Sequence, residues 1–104
     1  MVRTHETTYR YELDLDVAID VRFLTQLGEV VNYAVVLLVE EHDEWHAVRV
    51  YDNTHQMHDM HRYDRAGEKQ AAEMFHRGSA SEALQSAIET VRSGYSEMVE
   101  SWRR

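Results

Sequence analysis

The sequence predicts an α+β domain: an antiparallel meander sheet of about five strands, with one C-terminal amphipathic helix packed on one face. Three observations support this. Polar and apolar residues alternate over residues 9–23, residues 30–39 are almost continuously apolar, and apolar residues recur at helical spacing over residues 84–102. A chain of 104 residues has room for one core, so we expect a single domain over residues 1–104.

The first half of the chain is predicted to form consecutive antiparallel strands. One straight strand over residues 9–23 would span roughly 50 Å, which is too long for this domain, so we expect a bend near residues 14–16. Gly28 suits the tight turn of the next hairpin. Residues 30–39 are then the central strand, with both faces covered.

A return strand is predicted over residues 45–52. Regular alternation would place one set of its side chains on one face, namely Trp45, Ala47, Arg49 and Tyr51, and Val48 and Val50 on the other. A further hairpin is expected around residues 64–67. Its second arm, residues 69–75, fits either a strand or a helix.

The C-terminal helix is predicted to begin at Ser79, because Glu82 stands three residues later in a capping-box pattern. The apolar stripe that follows needs a surface to cover. The exposed face of the sheet is the only candidate in the sequence.

The charge of the chain limits its partners. There are 19 acidic and 11 basic residues, giving a net charge of -8, so nucleic acid is repelled at long range and an RNA contact needs a local basic patch. The absence of cysteine excludes disulfides and thiolate metal sites. With no long apolar run and no signal pattern, we expect a cytoplasmic protein without a membrane partner.

The residues best suited to chemistry follow the return strand. Asp52, His55, His58 and His61 occur at intervals of three, and these are side chains that bind zinc, iron or nickel. Their spacing matches no familiar metal signature, so we assign no metal ligand and expect no cofactor. A metal-binding domain remains a third, weaker interpretation.

The same residues also suit acid and base catalysis without a metal, as in a small ribonuclease. In this hypothesis His58 and His61 exchange protons, beside Tyr51, and Asp52 orients one of them. Arg49 and Arg62 stabilise the phosphate charge; Arg65, with Asn53 and His55, is assigned to substrate binding. A simpler interpretation is that Asp52 and Asn53 only build a turn.

The string Tyr51-Asp52-Asn53-Thr54-His55, followed by His58, His61 and a terminal helix, resembles TumE-type toxins of prokaryotic toxin-antitoxin systems. The resemblance covers roughly residues 45–104. It implies a toxin component acting on RNA, with a helix-turn-helix antitoxin as partner, and it places the functional positions at these same residues.

The competing hypothesis is a non-enzymatic interaction module, most simply a homodimer. Its interface would be an exposed strand edge or the helix face that bears Tyr95, Val99 and Trp102. The histidines would then have no catalytic role.

Overall fold

A computed structural model describes residues 2–104 and confirms the α+β class: an open antiparallel sheet in meander order carries one C-terminal helix. The six strands are β1 (Thr4–Asp14), β2 (Val17–Gln26), β3 (Glu29–Glu41), β4 (Glu44–Asp52), β5 (Asp59–Arg62) and β6 (Glu73–Met74), and the helix is α1 (Ala80–Arg103).

The two N-terminal hairpins follow the predicted pattern. The alternating segment is divided into β1 and β2 by a turn in which Asp16 has a positive φ of 60°. The turn between β2 and β3 places Leu27 at φ 53° and Gly28 at φ 80°. Two successive residues with positive φ match the twist of a two-residue hairpin, and Gly28 adopts that conformation without steric cost.

The core lies between α1 and one face of the sheet. Every second residue of β3 points into it: Tyr33, Val35, Leu37 and Val39 are fully buried. The prediction that both faces of this strand are covered is wrong, because the single helix covers one face only. On the opposite face Val36 is only half-buried, although Leu38 is buried.

A bulge in β4 corrects the predicted side-chain pattern of that strand. Leu37 lies opposite Arg49, whereas the next residue, Leu38, lies opposite Ala47, so Val48 is an extra residue. Arg49 therefore lies on the helix side of the sheet and Ala47 on the other side. Arg49 and Tyr51 share the helix side, as regular alternation predicts. For Trp45 and Ala47 the prediction of the same face is wrong, because the bulge moves both to the other side.

Residues 63–75 fold back along β5. The carboxylate of Asp64 accepts hydrogen bonds from the backbone of Ala66 and Glu68, both 2.9 Å long, which fixes the predicted turn. The second arm contains the short strand β6 and no helix.

The helix begins with the predicted capping box. The Ser79 hydroxyl accepts from the backbone N–H of Glu82, and the Glu82 carboxylate accepts from the backbone N–H of Ser79, both at 3.1 Å. Val99 and Trp102 are buried against the sheet. The helix face predicted as a dimer interface is thus largely occupied within the chain. Over residues 2–104, no helix is long and apolar enough to cross a membrane.

Candidate functional site

The three histidines predicted to share a site lie on three different surfaces. His55 is exposed in the turn between β4 and β5, and His58 is half-buried on the helix side of the sheet. His61 is buried in β5 opposite Val50, on the other side of the sheet. Among residues 2–104, no group of three or more histidine and carboxylate side chains is placed to hold a metal ion.

His58 is held at both ring nitrogens. Nδ1 lies 2.7 Å from the Tyr33 hydroxyl, and Nε2 lies 2.9 Å from the carbonyl oxygen of Gly78, just before α1. Phe75 and His76 pack edge-on against the ring. Because both nitrogens are occupied, the imidazole has no free lone pair with which to accept a substrate proton.

His61 is anchored in a different way. Its Nδ1 lies 2.9 Å from the carbonyl oxygen of Gln70, in the segment that folds back over β5. A carbonyl only accepts, so Nδ1 carries the hydrogen. The other nitrogen, Nε2, is buried and has no hydrogen-bond partner within the described chain. A substrate on the surface does not reach it.

The Tyr51-Asp52-Asn53 string has local structural contacts. Tyr51 is buried and meets Phe75 edge-on with ring centroids 5.0 Å apart. The Asn53 side chain accepts from the backbone N–H of Tyr33 at 3.0 Å and donates to the carbonyl of Val31 at 3.1 Å. Asn53 thus prolongs the pairing of β4 with β3 beyond the last backbone pair. Asp52 is half-buried beside it, and its carboxylate lies 3.5 Å from the backbone N–H of Thr54.

The three predicted phosphate-binding arginines do come together. Arg49 in β4 and Arg62 in β5 are register partners, and Arg65 stands in the following turn. With Arg104 at the end of α1, they line an open groove of about 500 Å³ between the last turn of the helix and the outer strands. We call this feature the arginine groove.

The four arginines differ in how far they are neutralised. Arg62 forms an ion pair with Glu73, and Arg65 forms one with Glu41 at 2.8 Å. Arg104 lies 4.0 Å from a carboxylate one helical turn away, where both side chains are largely exposed. For Arg49, no carboxylate among residues 2–104 lies within ion-pairing distance. Arg49 is a half-buried residue, and its guanidinium is therefore the one most available to an anionic ligand.

Aromatic and polar groups complete the groove. The Arg65 guanidinium lies over the Trp102 ring, 4.3 Å from its centroid, and Trp102 donates its indole N–H to the carbonyl of Asp64 at 3.3 Å. These contacts fix the floor of the groove. Gln70 and Ser101 add an amide and a hydroxyl to its lining.

The sequence of the chain matches one known family. A family model described as a domain of unknown function, DUF7718, matches residues 3–104. The chain belongs to the DUF7718 family. No curated protein and no solved structure matches it.

Two side chains that the structure brings to these sites in the DUF7718 domain were not predicted from the sequence: Tyr33, which bonds to His58, and Arg104, which lines the arginine groove. Tyr33 was interpreted only as part of an apolar strand, although a buried tyrosine hydroxyl usually requires a hydrogen-bond partner, which was the available signal. Arg104 lies far along the chain from Arg49. Only the packing of α1 on β4 brings them to one groove, and no local pattern reports such packing.

Proposed function

We propose that this domain is a cytoplasmic RNA-binding module that holds RNA phosphates in the arginine groove without cleaving the strand. One observation carries the proposal: four of the eleven basic residues line one groove on a protein with a net charge of -8. Phosphate binding draws most of its affinity from cationic side chains. The acidic remainder of the surface repels RNA and thereby restricts a bound strand to the groove.

The pairing of Arg49 and Arg62 supports a phosphate as the bound group. The two residues are opposite each other on neighbouring strands. The guanidinium of Arg49 offers two parallel donors to a pair of phosphate oxygens, and Arg62, which also pairs with Glu73, adds a second positive charge beside it. A groove of about 500 Å³ is in the size range of small-ligand sites, so one nucleotide unit fits it.

The lining of the groove favours binding over catalysis. General acid and base catalysis requires a titratable group within hydrogen-bond reach of the reacting atoms. No histidine occurs among the described residues that line the groove. Among the described residues that line the groove, Asp64 is the one carboxylate and Tyr63 the one tyrosine. The two backbone hydrogen bonds of the turn already occupy one oxygen of the Asp64 carboxylate.

A toxin component of a toxin-antitoxin pair is the second candidate. The groove favours it too, because it provides the local basic patch that an acidic protein needs in order to act on RNA. The expected partner is then a helix-turn-helix antitoxin. Growth arrest on expression, lost in His58→Ala or His61→Ala with the fold intact, would support the ribonuclease form of this candidate.

Binding and cleavage are measured together on a short fluorescent single-stranded oligoribonucleotide. We expect a rise in anisotropy that added salt and inorganic phosphate reverse, with the RNA intact on a denaturing gel. Absence of binding at low salt would contradict the proposal. Cleavage that disappears in His58→Ala, while circular dichroism shows the variant to be folded, would replace the binding proposal with the ribonuclease.

A further inference from the structure

The strand β1 has a long unpaired edge at one end of the sheet. Within residues 2–104 it pairs only with β2, and all of its residues are exposed except Tyr11 and Leu13, which are half-buried. Residues 4–12 contain no proline, no lysine and no bulge; the register shift comes only between Glu12 and Asp14. Proteins often use prolines, lysines or bulges to prevent edge pairing. Because residues 4–12 have none of these, the edge is open to another strand.

We propose that β1 pairs antiparallel with β1 of a second copy of the chain, which joins the two sheets into one of twelve strands. This inference does not depend on RNA binding, because the arginine groove lies against the outer strands at the other end of the sheet. In such a pair the two-fold axis is perpendicular to the sheet, and both helices lie on the same face.

The side-chain period of two limits the possible registers. Residues opposite each other must point to the same face, so one residue of β1 must lie opposite its own copy. The two-fold axis passes between these two copies, and we call this residue the one on the axis. With Thr8 on the axis, nine residues pair, from Thr4 to Glu12. Glu6 then lies opposite the partner's Arg10, and Arg10 lies opposite the partner's Glu6. Each copy thus contributes both members of a complementary charge pair.

The neighbouring registers fit less well. With Tyr9 on the axis, Glu6 faces the partner's Glu12, and with Arg10 on the axis, Arg10 faces the partner's Arg10. Like charges directly opposite each other are destabilising. A register centred on Tyr11 pairs seven residues and includes the irregularity after Glu12. The register centred on Thr8 is therefore the longest one without a like-charge pair.

Side chains already in place extend these charge pairs within each copy. Arg10 donates to the Asp20 carboxylate at 2.9 Å, and Glu6 lies 3.9 Å from Arg22, both partners being in β2. On the helix side, Tyr9 is 41% exposed and stacks on Tyr11 with ring centroids 5.9 Å apart. Pairing of the two edges covers part of this exposed ring.

Light scattering on the full chain tests the pairing, with Thr8→Lys as the first variant. Wild type is expected to have the mass of two 12.3 kDa chains. Thr8→Lys puts two like charges together on the axis and should weaken dimerisation on the order of tenfold. Thr90→Lys makes the same change on the exposed side of α1 and should leave the dimer unchanged. A monomeric wild type, or a dimer indifferent to Thr8→Lys, would overturn the proposal.

A charge-exchange experiment tests the register itself. Glu6→Arg and Arg10→Glu should each reduce dimerisation, since each creates like-charge pairs. An equimolar mixture of the two variants should form a heterodimer, because every opposing pair again joins an acidic and a basic side chain. Circular dichroism confirms that both variants fold. If the mixture dimerises no better than the separate variants, the register centred on Thr8 is wrong.

Discussion

The hydroxyl of Tyr33 lies 2.7 Å from Nδ1 of His58, while Nε2 of the same ring lies 2.9 Å from the carbonyl oxygen of Gly78. Because the carbonyl can only accept, Nε2 carries the hydrogen, and Nδ1 accepts the hydroxyl proton of Tyr33. The imidazole thus connects β3, the turn before β5 and the start of α1. His58 holds three parts of the fold together and is not presented to a substrate.

Replacement of Tyr33 should change the response of the fold to alkaline pH. Burial, with smaller effects from the Asp52 and Asp59 carboxylates, raises the pKa of Tyr33 well above its ordinary value. Above about pH 10 the hydroxyl ionises in the unfolded chain before it does in the folded one, so the free energy of unfolding falls. Tyr33→Phe removes this effect.

The measurement is urea unfolding at about pH 8 and about pH 11. Tyr33→Phe should be less stable than wild type at the lower pH by about 1 kcal/mol, since it loses a hydrogen bond. The difference between the two proteins should shrink at the higher pH. An equal difference at both values would contradict the assigned direction of the pKa shift.

His58→Ala should destabilise the fold, because it removes both hydrogen bonds and leaves the buried Tyr33 hydroxyl without its partner. We expect a loss of about 2 kcal/mol in the free energy of unfolding. His55→Ala is the matched control, since His55 is exposed in the same segment, and it should change stability by less than about 0.5 kcal/mol. Urea midpoints compare the two, and equal stability would reopen a functional role for His58.

Arg49→Ala should weaken RNA binding and reduce its dependence on salt. If Arg49 contacts a phosphate, the slope of the logarithm of affinity against the logarithm of salt concentration should fall by about 1. Anisotropy titrations at several salt concentrations give this slope.

Arg77→Ala is the control for net charge, because it removes the same charge from the sequence. Arg77 precedes the N-terminus of α1, and the groove lies at the C-terminus of this 24-residue helix, roughly 36 Å away. Its substitution should leave the slope unchanged. Equal changes of the slope in the two variants would indicate that RNA affinity depends only on the net charge of the protein and not on the arginine groove.

The predictable parts of this fold are those encoded by local periodicity. The division of residues 9–23 into two strands, the turn at Gly28 and the capping box at Ser79 each follow from neighbouring residues. The bulge at Val48 was not predicted, because no glycine or other local feature of the strand indicates it. It places Trp45 and Ala47 on the face opposite Arg49, which regular alternation of the strand does not predict.

The candidate site was predicted in its residue types but not in its geometry. His58 immediately precedes β5 and His61 lies within it, three residues further on. The period of two in an extended chain therefore sends their side chains to opposite faces. Tyr33 lies 25 residues before His58, and their hydrogen bond depends on strand register. The meeting of Arg49 and Arg62 required the pairing of β4 with β5, which residue composition does not specify.

The contribution of the capping box to stability can be tested independently of the arginine groove and of the β1 edge. Ser79→Ala removes the hydroxyl that accepts from the Glu82 backbone, and it should cost about 1 kcal/mol at neutral pH. Ser81→Ala makes the same change at an exposed position of the first turn and should cause no loss. Thermal or urea unfolding of the two variants beside wild type measures the difference.

The loss of stability in Ser79→Ala should become smaller at acid pH. Hydrogen bonds from the backbone and hydroxyl of Ser79 lower the pKa of Glu82 below its ordinary value. Stability from this carboxylate is therefore present above the pKa of the unfolded chain and is lost as the pH falls through the lower folded value. The difference in the free energy of unfolding between wild type and Ser79→Ala should become smaller below about pH 4.5. Ser81→Ala should have the stability of wild type at every pH. A constant difference down to acid pH would show that the hydrogen bond from the Ser79 hydroxyl to the Glu82 carboxylate contributes nothing to the cap.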